Sequence, residues 1–142
     1  MPDLTASDLP LKRRLVRVAR RFPSLATLGM AVEHFPHYVN AQKWPHQVDV
    51  ILFTCVLAGH GTHHLAGSSV AMEPGAVGIT LYEQEHDLQT VAPGMEVVNV
   101  YLDLMRHPLP LLPNPWNRTL AVLLPPRSTA GQPTASDGSS DL

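Results

Sequence analysis

The chain has a single cysteine in 142 residues. One thiol cannot make a disulfide framework or a zinc knuckle, and Cys55, set inside an apolar run, is expected to be a small buried hydrophobe. Charge is also scarce: 15% of residues are charged and the formal net charge is −2. That balance excludes a protein built mainly to grip nucleic acid. No apolar run approaches the roughly 20 residues needed to span a bilayer. Arg and Lys interrupt the N-terminus, which therefore lacks the apolar core of a secretory signal. A cytoplasmic protein with no membrane partner is the expectation. Long helical patterns are few as well, which with fourteen prolines and nine glycines favours strands over helices.

What the chain does have is an apolar, glycine-punctuated stretch from Val48 to His86, VDVILFTCVLAGHGTHHLAGSSVAMEPGAVGITLYEQEH. Two strand-like runs, Val48–Ala58 and Ala76–Leu81, flank turns at Gly59-His60-Gly61, Ala66-Gly67 and Pro74-Gly75. Glycine reaches positive φ without a Cβ clash, and proline presets φ for a turn. Three turns in so short a span leave no room for helices, so the stretch reads as a β-meander. Val48, Val50, Leu52, Thr54 and Val56 fall on one face of the first run, and Ile51, Phe53, Cys55 and Leu57 on the other. A strand wet on one side would alternate with polar residues, so both faces are expected to be covered, one by the lumen of a barrel and one by a helix, an arm or a second copy.

The flanks divide into three. Residues 1–23 form an N-terminal arm in which Leu11, Leu15, Val18 and Phe22 recur at helical steps, while Lys12, Arg13, Arg14, Arg17, Arg20 and Arg21 occupy most of the rest. The spacing predicts a basic amphipathic helix stopped by Pro23. Its charges read either as solvated surface or as a patch for DNA phosphates, a membrane surface or a partner, the former being favoured. SLATLGMAVEHF then supplies the first strand of the barrel, which spans 24–104, and PHYVNAQKWPHQ a loop or edge strand. Residues 105–126 are proline-rich with one short helix starting near Asn114 and Pro115, and 127–142 are small and polar, a disordered tail.

The spacing Gly-x-Gly, five residues, Gly, seven residues, Gly across GHGTHHLAGSSVAMEPGA resembles the core of the N-terminal cupin domain of AraC-type transcriptional regulators. The similarity continues through His86 and EVVNVYLDL and covers roughly residues 44–104. One residue departs from it: Ala76 stands where the family usually has Asp. The resemblance implies an all-β fold with short flanking helices, a cupin-like double-stranded β-helix or jelly-roll barrel. It also implies a small-molecule effector, a homodimer, and contact with DNA only through a helix-turn-helix domain absent from this chain.

Metal-dependent cupins hold their ion with two histidines, a glutamate and a further histidine. By the same resemblance His46 and His86 fall in two of these slots, whereas Val48 and Leu52 fall in the others and cannot ligate. Two imidazoles without a carboxylate make a poor first-row metal site. No metal, no cofactor and no catalytic residue is therefore expected, and the chain reads as a non-enzyme, with a metal-dependent cupin enzyme using His46 and His86 as the alternative. His34, His37, His60, His63, His64 and His107 read as loop and surface histidines. What remains is a pocket walled by Val48, Val50, Leu52 and Thr54, with apolar walls and a few orienting polar groups. The resemblance places its ligand contacts at Trp44, His46, Val48, Leu52, His86, Leu88, Asn99 and Tyr101. Trp44 or Tyr101 would stack on a ring, and His86 and Asn99 would bond hydroxyls.

Overall fold

The structure, a computed structural model, describes residues 14–124. The chain forms two units, Met1–Pro110 and Leu111–Leu142. The first carries eight strands and one α-helix among its described residues. In chain order they are β1 (Leu15–Val16), α1 (Pro23–Leu28), β2 (Met30–Asn40), β3 (Gln47–Val48), β4 (Ile51–Gly59), β5 (Gly61–Leu65), β6 (Ser68–Met72), β7 (Val77–Thr80) and β8 (His86–Leu102), with a 3-10 turn over Val18–Arg20. The described part of the second unit holds one helix, α2 (Trp116–Leu123), with Pro115 just before it. The tail expected at 127–142 and the first residues of the arm lie outside the described residues.

The meander closes on β8, a strand of 17 residues. Its first residues pair antiparallel with β5, from Leu65↔His86 to Thr62↔Gln89. Its later residues lie between β4 and β2, so that Leu102 is opposite both Ile51 and Met30. With β6 on β5 and β7 on β4, one curled antiparallel sheet wraps an interior, the jelly-roll, cupin-like arrangement. The curl is made where three backbones meet. Gly59 at φ 81° and Gly94 at φ 90° both take left-handed conformations. A Cβ on Gly59 would run into the Gly94 carbonyl, and one on Gly94 into the Tyr38 carbonyl. Only glycine lets β2, β4 and β8 approach so closely there.

Register then fixes which side chains face inward, because directly opposite residues share a face. Leu52↔Tyr101, Thr54↔Asn99, Val56↔Val97 and Glu33↔Asn99 face the interior. Phe53↔Val100, Cys55↔Val98, Val32↔Val100 and Cys55↔Val77 face out. Inside, Val18, Leu25, Val48, Val50, Leu52 and Tyr101 form one apolar cluster and Val56, Met72, Leu88, Met95 and Val97 a second.

Three expectations are corrected here. The arm is not an amphipathic helix over its described residues. Arg14 accepts from the Gln47 amide at 2.8 Å, β1 pairs parallel with β3, and the Asp49 carboxylate takes the amide protons of Val18 and Ala19 at 2.7 and 3.3 Å. Tertiary partners have claimed the amides a helix would use. Pro23 does not stop a helix but starts α1, its missing N–H costing nothing in the first turn, and Gly29 at φ 72° ends it. Finally, the inner residues of β4 are buried; on its outer face Ile51 is buried too, Phe53 and Cys55 are half-buried and Leu57 is exposed. A bend at Asp49-Val50 separates β3 from β4, so the single run Val48–Ala58 is two strands.

Candidate functional site

Residues of both apolar clusters wall a cavity of about 400 Å³. All eight residues singled out for ligand contact, Trp44, His46, Val48, Leu52, His86, Leu88, Asn99 and Tyr101, line it. Thr54 does too, but Val50 does not: the bend at Asp49-Val50 sends it into the core beside Val18 and Leu25. The arm joins the wall through Val16, Val18 and Arg21. Sequence periodicity missed this because the helical spacing of the arm hid its pairing with β3.

At one end of the cavity four polar side chains form a chain. Arg21 Nη2 donates to Glu33 Oε1 at 2.9 Å, the Tyr101 hydroxyl donates to Glu33 Oε2 at 2.9 Å, and Asn99 Nδ2 donates to the Tyr101 oxygen at 3.2 Å. Burial first, and then Glu33, pushes the Tyr101 phenol up to about 12, so it stays a donor at neutral pH. Asn99 Oδ1 is left buried with no partner. Tyr101 stacks on Phe22 with ring centroids 5.4 Å apart, which covers one face of its ring.

At the other end are imidazoles. His46 and His86 form an antiparallel bridge, and their rings lie 4.4 Å apart between centroids. His46 Nδ1 donates to the Trp44 carbonyl at 2.9 Å, and the Trp44 and His46 rings are 4.6 Å apart. His86 Nδ1 is 3.2 Å from His63 Nε2, and His86 Nε2 is buried without a partner. Burial, then His46 and His63, pulls the His86 imidazole down to about 3, and burial lowers His63 as well. Both rings are neutral at pH 7. His63 was expected at the surface and is 3% exposed. It fits because position 78 is glycine: a Cβ there would sit 2.8 Å from His63 Nδ1. The parity of β5 could have found it, since His63 shares a face with Leu65, the partner of His86.

The carboxylates nearby are committed. Asp49 holds the arm, Glu33 holds Arg21 and Tyr101, and buried Asp87 accepts from Asn40 Nδ2 at 2.9 Å and from the Trp44 amide at 2.8 Å. Among the described residues no group of three or more His, Cys, Asp or Glu side chains is arranged to hold a metal ion. His46 and His86 alone do not fit the three or four protein ligands such a centre uses.

The fold and this lined interior define a cupin-type barrel. No family model and no curated protein matches the chain. Solved structures do resemble it. A predicted oxalate decarboxylase from Thermotoga maritima is 18% identical with a TM-score of 0.45, over 57% of this chain and 74% of that one. A cupin-2 domain protein from Shewanella frigidimarina is 11% identical at TM-score 0.42, over 52% and 69%. An HTH_3 family transcriptional regulator from Vibrio cholerae is 20% identical at TM-score 0.44, over 58% of this chain and 47% of that one. The expectation of a non-enzyme is corrected: it is not supported, since this set holds a predicted oxalate decarboxylase beside a transcriptional regulator. Among the described residues no helix is long and apolar enough to cross a membrane.

Proposed function

We propose that the barrel binds a small, neutral, polar molecule and that the chain is the effector-binding and dimerisation domain of an AraC-type transcriptional regulator. The observation that carries the binding half is the cavity of about 400 Å³, walled by Val48, Leu52, Leu88 and Val97 with Asn40, His46, Thr54 and Asn99 among them. Apolar walls with a few polar groups are the usual make-up of a small-molecule site. The regulatory half is supported by the arm: Val16, Val18 and Arg21 stand in the cavity wall, so a ligand there touches the arm directly. Occupancy would then favour the docked arm by as much as the ligand prefers it. Control of transcription would further require a helix-turn-helix reader of DNA, on this or a partner polypeptide. A homodimer belongs to the same reading, through the apolar outer face of the sheet.

A thermal-shift screen of sugars, polyols and small aromatic alcohols on the full chain tests the binding half. A ligand at a hundred times its dissociation constant stabilises by about 2.7 kcal/mol, a rise of several degrees. A library without any such response overturns the reading. A second reading, a metal-dependent enzyme, is favoured by one observation, the 4.4 Å approach of the His46 and His86 rings. Stoichiometric iron, manganese or zinc in protein purified without a nickel column, lost in a His46→Ala/His86→Ala double variant, would replace the first reading with the second.

A further inference from the structure

A second cavity, of about 300 Å³, opens beside the β5–β6 hairpin, and its wall shares only His86 with the first. Two of its residues, His64 and Ser69, are directly opposite each other, on the second rung from the Ala66-Gly67 turn. Opposite residues of an antiparallel pair share a face, and here Ser69 Oγ lies 2.7 Å from His64 Nδ1. The other ring nitrogen, Nε2, is 2.9 Å from Gln89 Oε1 on β8. Hydrogen-bond chemistry gives this row a direction. The Ala41 carbonyl can only accept, so the end of the Gln89 amide that meets it, at 3.0 Å, is Nε2. Oε1 is then the atom turned toward His64, and because it accepts, His64 Nε2 carries the ring proton. In the neutral imidazole the remaining nitrogen, Nδ1, offers a lone pair, and the donor aimed at it is the Ser69 hydroxyl. A hydroxyl held on a base whose far side is oriented by a third group is the arrangement that makes serine a nucleophile. Ser69 is exposed, whereas His64 and Gln89 are half-buried, so the nucleophile is the member that a substrate reaches.

We propose that Ser69 is the nucleophile of an acyl-transfer site for small carboxylic esters, with His64 as its general base and Gln89 as the positioning residue. Ser69 Oγ adds to the ester carbonyl carbon as its proton passes to His64 Nδ1. The bond from that carbon to the leaving oxygen then breaks, the departing alkoxide takes the proton from His64, and the acyl group stays as an ester on Ser69. Water completes the cycle. Its oxygen adds to the acyl carbon, its proton goes to His64 Nδ1, and the carboxylic acid leaves as Ser69 Oγ regains that proton. Pro45, Leu65 and Ala66 supply apolar wall for a short acyl chain, and Lys43 is the cation of the wall, the charge that suits a developing oxyanion.

The test treats the full chain with diisopropyl fluorophosphate, which esterifies an activated serine at phosphorus and releases fluoride, and locates the adduct by peptide mass mapping. The expected result is an adduct on Ser69, together with p-nitrophenyl acetate hydrolysis that the adduct blocks. His64→Ala should slow the labelling by about 100-fold or more, the lower end of what a general base contributes. Gln89→Leu removes the acceptor that orients the ring and should slow it by about tenfold, the worth of one hydrogen bond. Gln89→Glu puts a carboxylate in reach of the same N–H and should recover most of that loss, a rescue that a merely structural contact would not give. Should His64→Ala fail to fold, the wild-type adduct and the two Gln89 variants still decide. Absence of an adduct on Ser69, labelling of a folded His64→Ala at the wild-type rate, or Gln89→Glu reacting no faster than Gln89→Leu overturns the inference. None of these outcomes bears on the effector pocket, whose ligand screen is read separately.

Discussion

His86 is the residue at which burial and charge conflict most openly. Its ring is 5% exposed and faces two other imidazoles, and its folded pKa falls to about 3 from an ordinary 6.5. The unfolded chain therefore holds more protons than the native chain between about pH 6.5 and pH 3. With the unfolded state binding the extra proton, stability must rise with pH across that window and be lost as pH falls through it. The expected slope from this one group is at most about 1.4 kcal/mol per pH unit. Thermal melts from pH 7.5 to pH 4 should show a falling Tm in the wild type and a shallower fall in His86→Gln. An equal fall in both would mean the ring is not buried as a neutral group. Gly78 offers an independent check on the same cluster. A methyl at this position would sit 2.8 Å from His63 Nδ1 and 3.3 Å from Met72 Cε. Gly78→Ala should cost about 1–3 kcal/mol in urea unfolding, as overpacking does, and a His63→Ala/Gly78→Ala double variant should recover part of it.

At the scale of elements, the glycine frame and the arm show what a sequence can and cannot carry. The turns at Gly59, Gly67 and Gly75 were legible because positive φ is a local demand, and all three residues adopt it, at 81, 78 and 91°. The inward positions Leu52, Thr54 and Val56 on β4 were legible because strand parity is local too. The arm was not. Leu11, Leu15, Val18 and Phe22 satisfy a helical period, yet the segment is held by partners about 30 residues away, above all the Asp49 carboxylate on the amides of Val18 and Ala19. No local pattern announces such a partner. Nor could parity reveal the polar chain, which needs Glu33 on β2 to be opposite Asn99 on β8 in one particular register. The anchor at Asp49 is itself testable. Asp49→Ala removes two charge-assisted bonds at the start of the 3-10 turn, worth about 1–3 kcal/mol together, but leaves the barrel intact. Hydrogen exchange at Val18 and Ala19 should quicken by tenfold or more, with the amides of β4 and β8 unchanged. If arm and barrel lose protection together, the arm is part of the core and not a separable cover.

For the first unit as a whole, the outer face of the sheet sets the problem that the inner face does not. Register aligns Val32 of β2, Val98 and Val100 of β8, Phe53 and Cys55 of β4 and Val77 and Ile79 of β7 into one apolar band across four strands. Val32 is 57% and Val77 55% exposed. The polar members near it are His34 and Glu96, joined to each other at 2.9 Å and so at little cost to an apolar partner. Contiguous apolar surface of this kind on a sheet is uncommon in a free monomer and is normally covered. A second copy packing face to face would bury the band on both sides, and a stable association needs about 800 Å² from each partner. Sedimentation equilibrium should therefore find a dimer at micromolar concentration. Val100→Glu, at the centre of the band, should yield a monomer that keeps its cavity, since the side chain points away from Asn99 and Tyr101. Ser69→Glu, on the exposed β6 strand, should change neither property. A wild type that sediments as a monomer at 100-fold higher concentration, about 100 µM, would remove the homodimer from the proposal. The effector pocket would survive that result, because every residue of its wall comes from one chain.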